Sequence, residues 1–199
     1  MAQYNTTPRQ MLTESADLDT VAYLVTVLRG LDAAGMDNQT DYVTQMRDAI
    51  TSSLDGMVSK AAARLKTVDQ RRQLSNKVQE LVKPLQSVTT LKQMADFMQQ
   101  LVRNAKTLGI LDEAINWKGS FQRVGQALKR AGAGAKQWWN NNKYELLKLI
   151  VEFVLQLLLE IVFGLIGAML KSKISAPKIK MFKGFKGGDF GGGGAGGEW

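Results

Sequence analysis

Glu152, Gln156 and Glu160 fall at i, i+4 and i+8 in a stretch otherwise made of Leu, Ile, Val and Phe. On a helix that spacing sets the three side chains on one narrow stripe. Lys148 extends the stripe upstream, Gly164 and Gly167 continue it with small residues, and Lys171 ends it. The two carboxylates stand two turns apart, about 12 Å along the axis, too far to act as acid and base across one bond. Their chemistry is that of polar groups carried on an apolar helix. In a bilayer such a stripe must face a bundle interior or a water-filled lumen. In a soluble protein it is the wet side of a buried helix.

The flanks of this stretch resemble membrane-interface anchors. Trp138, Trp139 and Tyr144 precede it, and Lys171 and Lys173 follow it, the residue types that settle at headgroup level. Two further groups suit an anionic surface. Arg123, Lys129 and Arg130 lie beside Phe121, Val124 and Leu128, and Lys178, Lys180, Lys183 and Lys186 alternate with Ile179, Met181, Phe182 and Phe185. Phe182 and Phe185 with these lysines would also suit nucleic acid by charge and stacking. No recognisable nucleic-acid-binding motif accompanies them, so a lipid surface is the favoured partner.

Enzymatic chemistry finds little to work with. The 199 residues include no Cys and no His, which excludes thiol nucleophiles, disulfides, the usual zinc sites and every imidazole-based mechanism. Ala131 to Lys136 superficially follows a phosphate loop, but it lacks the required spacing, has Gln137 after the lysine and follows no strand. Asp112 and Glu113 are adjacent and point apart on a helix. No catalytic, cofactor or metal site is expected, and the chain is expected not to be an enzyme.

The elements that must position these residues are helices. The series Leu18, Val21, Val25 and Leu28 opens after Thr13 or Ser15 and ends near Gly30 or Gly35. A second series starts at Thr40 or Asp41, takes in Val43, Met46, Ile50, Leu54, Met57 or Val58, Ala61 and Leu65, and is expected to run on through Val68 toward a break at Lys83 and Pro84. A third, Leu85 to Ala105, is closed by Gly109. Met46, Met57, Met94 and Met98 are read as core rather than as a partner groove. Gly132 and Gly134 are expected to loosen any helix between 131 and 135, and one of Asn140, Asn141 and Asn142 to cap the next. That last helix holds 22 residues from Leu149 to Leu170, about 33 Å, the thickness of a bilayer's hydrocarbon core. A tail with 9 Gly among residues 184–197 follows.

The expected architecture is therefore all-α. A helical bundle or elongated hairpin head (1–110), soluble by itself, precedes a basic amphipathic linker (111–143), an apolar transmembrane-like helix (144–171) and a basic Gly-rich tail (172–199). Charge divides along the chain. Residues 1–60 carry 4 basic and 8 acidic side chains, and residues 61–143 carry 15 basic and 5 acidic, within a net charge of +8. A basic middle of this kind meets an anionic partner. The N-terminus shows no basic region followed by an apolar stretch, so no cleaved signal peptide is expected. The functional expectation is a non-enzymatic, membrane-associated structural protein acting as a homo-oligomer or larger assembly, most concretely a bacteriophage virion or genome-delivery component. The alternatives are a pore-forming toxin or lysis effector, whose apolar helix is sheltered in a soluble form, and a soluble oligomeric interaction protein.

Overall fold

The structure, a computed structural model, describes residues 17–36, 38–110 and 133–171. Within them the chain forms α1 (Asp17–Ala33), α2 (Gln39–Ala62), α3 (Val68–Val82), a 3-10 turn (Lys83–Ser87), α4 (Leu91–Thr107) and α5 (Ala133–Leu170). Among the described residues there is no strand. All-helical architecture with one long apolar helix near the C-terminus is thus established; the Gly-rich tail lies outside the described residues.

Local chemistry sets the boundaries. Gly35 and Gly109, at φ 65° and 68°, take the left-handed conformation that ends α1 and α4. The series expected to continue through Val68 instead breaks at residues 63–67. Thr67 starts a new helix with a capping box, its hydroxyl accepting from the Gln70 amide at 3.2 Å while the Gln70 side chain accepts from the Thr67 amide at 3.3 Å. Thr90 and Gln93 repeat the device at the start of α4. Pro84 falls in the first turn of the 3-10 segment, where its missing N–H costs nothing. The expected caps Thr13 and Ser15 lie outside the described residues.

The start of α5 corrects the sequence reading. Gly134 does not interrupt it, and Asn140, Asn141 and Asn142 sit inside one continuous helix rather than at its cap, so residues 133–143 of the expected linker are helical. Asn142 donates its side-chain amide to the Trp138 carbonyl one turn back at 2.9 Å, a bond within the helix that replaces a capping role. Burial of Trp139 holds this first stretch against α2.

One apolar core joins α5 to the helices of residues 17–110. α1 packs along α4, α2 packs along α5, and α3, α4 and α1 also touch α5, which therefore runs through the middle of the bundle. Val21, Val25 and Leu28 from α1, Met46 and Ile50 from α2, Leu74 from α3 and Leu91, Met98 and Leu101 from α4 are all buried. The four methionines read as core are buried too. Arg29 of α1 reaches Asp96 of α4 at 2.6 Å and Gln99 at 2.8 Å, and the Asp32 carboxylate accepts from the Lys92 amide in the first turn of α4 at 3.2 Å. A carboxylate there complements the positive end of the helix.

Candidate functional site

α5 is the element to which the functional reading attaches. Its 38 residues make about 57 Å of helix. Leu157, Leu159, Ile161, Val162, Phe163 and Ile166 are buried although they spread round about two thirds of its circumference. A helix that is apolar all round belongs either in a protein core or in a bilayer. α5 is long and apolar enough to cross a membrane, a property that the core helix of a soluble protein shares.

The structure brings Glu152, Gln156 and Glu160 together as one half-buried seam. Gln156 donates from its side-chain amide to Glu160 Oε1 at 3.1 Å, so the middle of the seam is internally bonded. Val151, Leu155, Leu157 and Leu159 beside it are buried. The same line reaches Gly164, where a Cβ would lie 2.6 Å from both Cδ1 and Cγ1 of Ile110. Ile110, just past α4, thus fills a notch that only glycine leaves open. Phe163 next to it is buried beneath the Arg64 guanidinium, which lies 4.9 Å from the ring centroid.

The expected aromatic anchors are split between interior and surface. Trp139 is 2% exposed and meets Tyr42 of α2 edge-on, with ring centroids 4.5 Å apart and planes at 63°. The Tyr42 hydroxyl donates to the Lys143 carbonyl at 2.6 Å, and burial pushes that phenol well above its ordinary pKa of 10.0. Trp138 is half-buried, and its indole N–H is shielded from water with no hydrogen-bond partner among the described residues. Tyr144 is 59% exposed, with Lys143 Nζ 5.5 Å from its ring. Lys171 is exposed and ends α5 at φ 51°. Lys173, Arg123, Lys129, Arg130, Lys178, Lys180, Lys183 and Lys186 lie outside the described residues.

Tyr42, Arg64 and Ile110 hold α5 and were not singled out by sequence patterning. Nothing in local periodicity separates such residues from ordinary surface and helix-end positions. Among the described residues no three acidic side chains converge in a way that could hold a metal ion. A depression of about 250 Å³ between α3 and α4, bordered by Lys77, Glu80, Asn104 and Leu108, reaches Leu165 of α5. Compared with protein-family models, with curated proteins and with solved structures, the chain matches none.

Proposed function

We propose that this protein is a non-enzymatic membrane effector that stores a bilayer-length helix inside a water-soluble bundle and inserts it as an oligomer, as a pore-forming or lysis protein would. The observation that carries this reading is the enclosure of α5, sealed on most of its surface by α1 to α4 yet long enough to span a bilayer unaided. The energetics make insertion conditional. Leu149 to Leu170 holds 15 Leu, Ile, Val and Phe, each contributing about 0.3–0.6 kcal/mol on insertion scales, roughly 5–9 in all. Two ionised side chains oppose this by about 5–7 kcal/mol. A lone helix is near balance. Oligomers that turn the Glu152 and Glu160 stripes inward remove most of the opposing cost. Trp138 adds to the same direction, because its unpartnered indole N–H would meet water and headgroups at a membrane interface.

A virion component that opens a membrane during genome delivery would need the same stored helix, and the same measurement applies to it. The purified chain is expected to stay in solution without detergent, then to become resistant to carbonate extraction on vesicles and to release an encapsulated dye. Cross-linking on those vesicles is expected to trap oligomers. A chain that remains fully extractable and releases no dye would make α5 a permanent core helix and the protein a soluble interaction module.

A further inference from the structure

The turn between α2 and α3 gathers Arg64, Lys66, Arg71 and Arg72 within nine residues, all exposed. Asp69 is the one acidic residue between Asp55 and Glu80. Among the described residues none of the four cations makes an ion pair. The Thr67–Gln70 capping box fixes how the chain enters α3. Arg71 folds back to donate from Nε to the Leu65 carbonyl at 3.1 Å, which keeps its positive charge over the turn. In the midst of these charges stands Val68, 70% exposed, on the same face of α3 as Arg71 and Arg72. Arg64 touches α5 directly through the Phe163 ring.

We propose that this turn is a docking face for anionic phospholipid. Guanidinium and ammonium groups take the headgroup phosphates, and Val68 enters the interfacial layer between them. Nucleic acid would satisfy the charges but leaves an exposed aliphatic at the centre of the patch without a role. Phosphate at Arg64 also draws the guanidinium off Phe163, so docking weakens the grip on α5; this second step rests on the stored-helix reading, whereas docking itself does not.

The full chain is tested on vesicles of phosphatidylcholine alone and of phosphatidylcholine with phosphatidylglycerol, by co-sedimentation and by dye release. The K66Q/R71Q/R72Q variant, with unchanged circular dichroism, is expected to lose on the order of a hundredfold in partitioning onto the anionic vesicles at low salt, and V68S a severalfold smaller share. High salt should shrink the difference. F163L is expected to dock as the wild type but to release dye with less dependence on phosphatidylglycerol. Charge-dependent docking without dye release by the wild type would sink the stored-helix reading and leave the docking face standing. Equal partitioning of wild type and triple variant, or no preference of the wild type for anionic vesicles, overturns the proposal. So does a triple variant that loses binding to a DNA duplex while keeping its binding to vesicles.

Discussion

Burying the Tyr42 phenol ties one side chain of α2 to both the backbone and an aromatic ring of α5. Tyr42→Phe keeps the ring contact and removes the hydrogen bond, so the bundle should lose about 0.5–1.5 kcal/mol at neutral pH. The sign of the pH dependence follows from the raised pKa. Above pH 10 the unfolded chain gives up this proton before the folded one does, so the contribution present below pH 10 is lost as pH climbs toward the folded value. Chemical denaturation at pH 8 and pH 11 should therefore show a smaller alkaline loss for Tyr42→Phe than for the wild type. An equal loss would mean that Tyr42 is not the group responsible. Gly164 makes an opposite kind of contact. Alanine there gains about 1 kcal/mol of helix propensity, but it drives a methyl into Ile110, at a typical overpacking cost of about 1–3 kcal/mol. Gly164→Ala should lower the melting temperature, and the double change with Ile110→Ala should cost less than the sum of the two singles. Additive effects would show that the notch is not filled by Ile110 in solution. Neither Tyr42 nor Ile110 carries a sequence signal, because each acts through a partner about 54 or more residues away that only the packing of α5 selects.

At the scale of the elements, periodicity located α1, α2, α4 and α5, but it merged α3 with α2 and did not place every boundary. The apolar positions of α1, α2 and α4 fall where the 3.6-residue repeat puts them, and the breaks at Gly35, Pro84 and Gly109 follow from local backbone chemistry. The division of residues 40–82 into two helices was less legible. Leu65 and Val68 continue the apolar spacing, yet Leu65 is buried and Val68 stands in solvent. The decisive signal was Thr67 with Gln70 three positions on, a capping box inside what otherwise reads as one helix. Thr67→Ala and Thr90→Ala should each cost about 1 kcal/mol, measured as a shift in the denaturation midpoint at constant slope. A negligible effect at Thr67 would mean that the α2–α3 turn is set by burial of Leu65 alone. The early start of α5 was illegible for the reverse reason. Gly134 and three consecutive asparagines have poor helix propensity, and the tertiary contact of Trp139 with Tyr42 outweighs it.

For the whole molecule, the apolar stretch and the helices before it raise one question: whether residues 17–110 can fold without α5. The amphipathic spacing of α2 and α4 is what gives the impression of an autonomous head, since each has a polar face for water. The apolar face of α2, however, packs mainly on α5, and α4, which packs mainly on α1, also touches it. Removing residues 133–199 would uncover the side of α2 that packs along α5 and part of α4, while the Tyr42 phenol and Arg64 would lose their α5 partners. Deleting even one buried aliphatic side chain costs about 2–5 kcal/mol, and domains of this size are stable by only about 5–15 kcal/mol. Loss of a central helix exceeds that margin. A chain ending at residue 132 is therefore expected to keep helical circular dichroism but to melt without a cooperative transition, to bind a hydrophobic dye and to associate at micromolar concentration. On the proposed stored-helix reading, withdrawing α5 into a bilayer would leave the other helices needing a surface for their apolar faces, which the membrane interface would supply. A truncated chain that melts cooperatively as a monomer would show that the head closes its own core, and α5 would then be an appendage whose departure costs the bundle little.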